Sequence, residues 1–474
     1  MIGAPRSTGT GRRPSRRVPG WLLVPMLVPM LMPVLVPLQA RAAAVEAGPL
    51  PMATPGTPAL PSTSPAAPSP PSSPPAASAL PSEVDLGAVL RLAREASPRL
   101  QVEREAIAAA EARRISAGAL PNPRIAVGRT RPAGGAATMF DGRYQTDTSI
   151  EFPLLVGGQR RARIEAAERF IDAARAQVRV SENQLAEEAA VAFMAILAVQ
   201  ARMDAIADAI VRIGRIRDIV AARESSGLAS RYDLARVDVE RAALQARLAE
   251  QEGDRADATG ALAVLLGVPG WAPKATGALS PLAEAGLPAA AAPPGTLHPS
   301  VVAAAREEAA AIAVIEVARR DRIPVPSLGI GRMWTRDPYG GANFLGLSVE
   351  LPIFDTRRGP LEEARSEARA AGLRRVLAEA QVDAGVERYR AVVQRRTEAL
   401  QRFETDAAGR LPMLQTMAED AYRFGRATIL EWLDATRVHH EQRLVRVDLV
   451  SGLAEARVRL RGAQGLFAPE GRQP

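Results

Sequence analysis

Thr148 to Arg169 reads TSIEFPLLVGGQRRARIEAAER, and the pattern returns as LSVELPIFDTRRGPLEEARSEA from Leu347 to Ala368. Each copy begins with side chains that alternate apolar and polar. It then passes, without a long loop, into a charged, alanine-rich run with apolar residues three or four apart. Period two fits a strand and a period near 3.6 fits a helix, so each copy is a strand feeding a helix. The chain reads as a duplication built on that join.

Upstream of each join lies a second alternating run, which gives four predicted strands at about 124–131, 143–154, 327–336 and 343–353. In the first, Ile125 and Val127 oppose Arg124, Ala126 and Gly128; in the second, Ile150 and Phe152 oppose Ser149 and Glu151. The third sets Leu328, Ile330 and Trp334 against Ser327, Gly329 and Gly331, and the fourth sets Leu345, Leu347, Val349 and Leu351 against Phe344, Gly346, Ser348 and Glu350. Strands of about ten residues with one apolar face cross a bilayer at a tilt. A half-buried soluble sheet would alternate in the same way. Four strands cannot close a barrel, and an open edge in lipid leaves backbone groups unpaired, so a membrane sheet needs several chains.

Downstream of each join the chain is helical for a long way. No proline occurs from Val156 to Gly267, and a helix from about Gly158 to Ser225 would form a rod of about 100 Å. Ser225-Ser226-Gly227-Leu228 reverses it, giving a hairpin over 158–266. The second copy runs from Pro360 to about Arg423, turns at Phe424-Gly425-Arg426 and returns to Gln464, a hairpin over 360–464 in which Pro412 and Gly409 predict a kink. Ser97-Pro98 and His298-Pro299 each look like an N-cap followed by proline at the first helical position, and Ser82-x-x-Asp85 resembles a capping box.

The expected organisation is a signal peptide over 1–44, a Pro/Ala/Ser-rich linker over 45–82, a first repeat over 83–268, a connector over 269–297, a second repeat over 298–466 and a tail over 467–474. The leader combines basic residues from Arg12 to Arg17, an apolar run from Trp21 to Leu38 and a small-x-small site at Ala40-Arg41-Ala42. Twelve prolines between Pro49 and Pro81 mark the linker as an extended tether. The first 44 residues carry six Arg and no acid, so the formal charge of +8 falls to +2 without them, which leaves no strong polyanion footprint and argues against nucleic acid. With no cysteine in the chain there is no disulfide, thiolate metal site or lipidated cysteine, and aromatics at only 4% suit long packed helices.

These residues together resemble the outer-membrane factor family, the TolC-like channels of tripartite efflux systems, over about Leu86 to Gly465. The resemblance rests on proline-flanked strand starts (Leu120-Pro121-Asn122-Pro123, Val325-Pro326), on the joins Phe152-Pro153-Leu154 with Gly157-Gly158 and Leu351-Pro352-Ile353-Phe354-Asp355, and on the tip Tyr422-x-x-Gly425 followed by Ile429-Leu430-Glu431-x-x-Asp434-Ala435. VGGQRRARIEAAE and FDTRRGPLEEA are similar to the CzcC-like heavy-metal branch. The resemblance implies a mixed α and β membrane protein. In it, three chains of four strands form a twelve-stranded outer-membrane β-barrel, continued into the periplasm by an α-helical coiled-coil barrel. It also implies a homotrimer that contacts outer-membrane lipid, a periplasmic adaptor and an inner-membrane pump, and that works as an efflux duct for heavy-metal cations. Drug efflux and type I protein secretion are the alternative cargoes; a soluble periplasmic coiled-coil adaptor is the rival of another class.

Carried over position by position, the resemblance places Asp233, Tyr422, Glu431 and Asp434 at a periplasmic gate, Gly227, Leu228, Gly425 and Arg426 at adaptor-contacting tips, and Glu151, Pro153, Gly157, Gly158, Glu350 and Pro352 at the barrel-to-helix join. Read alone, Glu431 and Asp434 fit a solvated helix face beside Arg437. Threefold symmetry would turn them into carboxylate rings that favour cations. The family's gate arginine is absent: Ala427 stands there, beside Arg426. His439-His440-Glu441 does not converge on a metal, because neighbours on a helix point about 100° apart. Nothing in the sequence forms a nucleophile, base and acid set or a phosphate loop, so neither enzyme activity nor a cofactor is expected.

Overall fold

A computed structural model of the chain describes residues 80–130, 144–279, 297–335 and 340–467. The chain divides into Met1–Pro70 and Pro71–Pro474, and all that follows concerns the second unit. The expected signal peptide and nearly all of the linker lie outside the described residues, as do 280–296 of the connector and all of the tail but Phe467.

The elements in order are β1 (Glu83–Val84), α1 (Leu86–Ala96), α2 (Pro98–Gly118), β2 (Arg124–Thr130), β3 (Gln145–Pro153), α3 (Gln159–Ser225), α4 (Arg231–Leu266), β4 (Lys274–Ala275), α5 (Pro299–Arg320), β5 (Pro326–Thr335), β6 (Gly341–Val349), α6 (Arg358–Phe403), α7 (Leu411–Arg423) and α8 (Ile429–Ala463). Asp85, not Ser82, caps α1: its carboxylate accepts from the Ala88 amide at 2.6 Å, while residues 83 and 84 pair in parallel with 274 and 275. The capping-box reading of Ser82 therefore gives way to a strand and an Asx cap one residue before the helix. The connector and the tail are also anchored. Trp271 is buried with its indole N–H donating to the Pro81 carbonyl, and Phe467 is buried in the same core.

Helix α3 lies at the centre of the helical part and packs against α1, α2, α4, α5 and α8, while α6 packs on α5 and α8. Helix α3 has 67 residues, and its apolar faces are buried in turn along that length, among them Leu185, Phe193, Ile196, Ile213 and Val220. Most helical stability in proteins comes from packing an apolar face rather than from propensity, so this burial is what sustains the rod. The shorter helices approach that length by stacking end to end. Gly267, in the left-handed region at the end of α4, lies against the Pro98 ring at the start of α2; Gly465, after α8, lies against Pro299 at the start of α5. A side chain at either glycine would meet that ring, so the missing Cβ lets two helices join as one rod. His298 belongs to the second junction, its ring accepting from the Ser300 amide at 3.1 Å and contacting the Gly462 carbonyl at 3.2 Å.

The strands form one antiparallel sheet in the order β2-β3-β5-β6. Directly opposed residues share a face, so the register collects Ile125, Ile150, Ile330 and Leu345 in one row and Phe152, Leu328 and Leu347 in the next. The opposite face carries Arg124 beside Glu151, and Ser149 beside Gly331. Ile125, Val127, Ile150, Phe152, Ile330, Leu345 and Leu347 are all exposed in the single chain. Among the described residues, edge strands β2 and β6 each have one partner only.

The second long helix is interrupted where the first is not. After α6 the backbone widens into a π-helical turn at Glu404–Ala408, passes Gly409 and restarts at α7 with Pro412 in its first turn. Proline lacks the amide for an intrahelical bond and clashes with the preceding turn, which is why the rod breaks there.

At the two joins the backbone is the same although the residues differ. Gly158 precedes α3 with φ 77°, and Arg357, which follows its own copy of the shared proline at the same spacing, precedes α6 with φ 51°. The Asp355 carboxylate accepts from the Arg357 amide at 2.9 Å. That bond holds the unfavourable left-handed region in place of a glycine. Gly157 is needed for another reason: a Cβ there would sit 2.7 Å from Gln159 Nε2 and 2.8 Å from Ile323 Cγ2. Gly157→Ala is expected to cost about 1–3 kcal/mol by overpacking, read as a lower thermal midpoint of the purified protein. An unchanged midpoint would mean that Gln159 and Ile323 move aside freely.

Candidate functional site

The two helical hairpins reverse in the same way at the end opposite the strands. Gly227 (φ 75°) and Gly425 (φ 70°) take the left-handed conformation. The amides just after them, of Leu228 and Arg426, donate back to the carbonyls of Arg223 and Ala421 at 2.7 and 2.8 Å. Such bonds satisfy carbonyls that the end of a helix leaves free. Three residues after each glycine comes a helix N-cap, Ser230 or Thr428, and six after it an acid, Asp233 or Glu431. Both acids close capping boxes, in which cap and acid each satisfy the other's amide. Asp233 accepts from the Ser230 amide at 3.0 Å, and the Asp233 amide donates to Ser230 Oγ at 3.1 Å. The Glu431 carboxylate accepts from the Thr428 amide at 2.7 Å, and the Glu431 amide donates to Thr428 Oγ1 at 3.3 Å. These contacts are local, and Ser/Thr-x-x-Asp/Glu is legible in the sequence at both tips. Asp434 pairs with Arg437 at 2.8 Å, both side chains more than half exposed. Leu228, Phe424 and Arg426 are exposed around the turns.

Tyr422 is buried, 7% exposed, in a cluster drawn from both hairpins: Ile213, Ile216 and Val220 of α3, Val237 of α4, and Ile429, Trp432 and Leu433 of α8. Its ring lies 5.0 Å from that of Trp432. The Arg223 guanidinium stands 4.9 Å over the Tyr422 ring and donates to the Tyr422 carbonyl at 3.0 Å. Burial pushes the Tyr422 phenol up; Arg223 opposes this and the Asp233 carboxylate adds to it. Arg223 and Trp432 were not among the sequence-derived site residues. No local pattern marks them: Arg223 meets Tyr422 across the two copies, and Trp432 meets it across the turn of the second hairpin.

At the first join, side chains from the start of α3 tie the ends of α2 and α5 together. The Gln159 side chain accepts from the Gly157 amide at 2.9 Å and donates to the Ile323 carbonyl at 3.1 Å, while Arg160 donates to the Gly118 carbonyl at 2.7 Å. Pro153 ends β3, and Glu350 and Pro352 follow β6. His440 is buried between α8 and α3 with its pKa pushed down, first by burial and then by Arg247, and His439 is pushed down in the same way by burial, Arg212 and Arg443.

Residues 89–268 match the family model described as Outer membrane efflux protein. That segment belongs to the outer membrane efflux protein family. Among curated relatives, the chain is 28% identical over 233 residues to the cobalt-zinc-cadmium resistance protein CzcC of Cupriavidus metallidurans, covering 48% of this chain and 56% of that protein. It is 29% identical over 263 residues to the nickel-cobalt-cadmium resistance protein NccC of Alcaligenes xylosoxydans xylosoxydans, covering 53% and 57%. The chain thus spans a little over half the length of these relatives. Among solved structures, the outer membrane protein VceC of Vibrio cholerae superposes with a TM-score of 0.62 at 18% identity, over 80% of this chain and 96% of that one. The fold, mixed α and β, is that of the solved outer-membrane channels on which the chain superposes.

Proposed function

We propose that three copies of the chain form a passive duct: a twelve-stranded barrel in the outer membrane, continued by a periplasmic helical tunnel that receives substrate from an inner-membrane pump through an adaptor at the hairpin tips. The observation that carries this reading is the sheet. Its apolar rows are exposed and, among the described residues, both of its edges lack partners. A single chain would therefore leave ladder groups unpaired in lipid. A soluble coiled-coil adaptor would have no use for these rows. Heavy-metal cations are the proposed cargo because the two curated relatives above are named for cobalt, zinc, cadmium and nickel resistance. The pump would supply the energy, and the duct itself needs neither cofactor nor catalytic group.

Asp233, Tyr422, Glu431 and Asp434 are the proposed gate, with Gly227, Leu228, Gly425 and Arg426 as the adaptor-facing tips. Tyr422 and Trp432 keep the second hairpin on the first, and Glu431 and Asp434, repeated by threefold symmetry, ring the constriction. The test is reconstitution in a planar bilayer. Wild-type protein is expected to run as a trimer and to give small, cation-preferring currents. Glu431→Ala with Asp434→Ala is expected to raise conductance and weaken that preference. Unchanged currents would remove both acids from the constriction, and a water-soluble monomer would sink the duct itself.

A further inference from the structure

Where strands meet helices, four helix ends form one layer. Arg160 of α3 binds the end of α2 at Gly118; Arg163 of α3 pairs with Asp321 after α5 at 2.9 Å; Arg322 donates to the Thr356 carbonyl, just before α6, at 3.1 Å. Arginine dominates this layer. Arg113 and Arg114 lie near the end of α2, residues 160, 161 and 163 at the start of α3, 319, 320 and 322 around the end of α5, and 357 and 358 at the start of α6. Part of this charge is neutralised one turn further from the strands, where Glu168 pairs with Arg114 and Glu316 with Arg319 and Arg320. Among the described residues Arg113, Arg161, Arg357 and Arg358 are exposed and have no ion pair. On the strand side of the same layer, Leu120, Val156, Ile353 and Phe354 are exposed apolar residues. The chain beyond residue 44 is close to neutral, so this positive layer is a local concentration placed directly against an apolar band.

We propose that this arginine layer is a collar that binds the phosphate headgroups of anionic phospholipids in the periplasmic leaflet of the outer membrane. The inference rests on the outer-membrane duct proposed above. Guanidinium suits phosphate because its planar fork donates two hydrogen bonds at once. A ligand with a phosphate joined to acyl chains spans the arginines and the neighbouring apolar residues together; a free phosphate meets only the first. Each basic residue beside an anionic membrane surface strengthens attachment by about fivefold. A few unpaired arginines per chain therefore suffice for a clear preference between lipids.

The experiment titrates the detergent-purified, full-length assembly with phosphatidylglycerol or phosphatidylcholine and counts retained lipid by native mass spectrometry, with flotation on vesicles of each composition alongside. Wild type is expected to retain phosphatidylglycerol at least about tenfold better than phosphatidylcholine. The triple variant Arg161→Gln, Arg357→Gln, Arg358→Gln should fall to near parity. The matching lysine triple should keep much of the preference, and neutralising Arg388, Arg390 and Arg395, far along α6, should change nothing. Equal retention of both lipids by wild type overturns the collar, as does displacement by glycerophosphate without acyl chains, which would assign the arginines to soluble anions. Wild type that floats with neither vesicle would instead overturn the membrane placement, so the two failures are told apart. If the glutamine triple does not assemble, the wild-type comparison and the lysine triple still decide.

Discussion

Leu345→Arg is expected to remove the protein from the outer-membrane fraction, whereas Gly346→Arg, one residue on, leaves it there. The two positions lie mid-strand in β6 on opposite faces. Leu345 stands opposite Ile330 in the row that continues through Ile150 to Ile125, and Gly346 stands opposite Gly329 in the polar row with Glu151 and Arg124. An arginine facing lipid near the bilayer centre costs about 2–4 kcal/mol, while one in a polar lumen costs little. In the proposed trimer three copies would multiply the difference. Space is available at the control position, since a Cβ on Gly346 meets nothing within 4 Å. Combining Leu345→Arg with Ile330→Arg should deepen the loss. Fractionation and heat-modifiable migration of the trimer measure it. Equal tolerance at 345 and 346 would show that neither face touches lipid.

The second large effect is expected at the tip. Trp432→Ala removes a side chain that is 3% exposed and packed against Tyr422, in the cluster that fastens the second hairpin to the first. Truncating a buried aromatic costs about 3–5 kcal/mol. The cluster is confined to one end of the helical rods, so the loss should show as local opening rather than global unfolding. Membrane levels and trimer should persist, conductance should rise, and protease should cut at the Phe424-Gly425 turn. Tyr422→Phe is the companion variant: it keeps the ring against Trp432 and under Arg223, so it should stay closed if packing holds the tip. If it opens as fully as Trp432→Ala, the hydroxyl is the latch.

Which parts of this were legible beforehand follows from the range of the interactions. The alternation in residues 143–154 and 343–353 predicts which side chains share a face, and the register places them so, because strand facing has period two and needs no knowledge of the partner. The break near Pro412 was legible for the same reason, proline acting on its own turn. The misread cap at Ser82 shows the limit: Ser82-x-x-Asp85 has the right spacing, but the residues between them are taken by pairing with Lys274 and Ala275, in the connector beyond the first repeat. At the tips, reading Asp233 and Glu431 through the resemblance alone passed over the capping boxes that both close.

The sequence by itself determined the duplication, the strands and their faces, the long helices, and the glycine and proline positions where the chain turns or breaks. Each depends on a residue's own backbone preference or on neighbours within a few positions. Only the tertiary structure decided what distant segments bring together: Arg223 over Tyr422, Gly267 against Pro98, and arginines from four helix ends in one layer. These contacts join residues far apart in the chain, so their partners are chosen by helix packing, which no local pattern records.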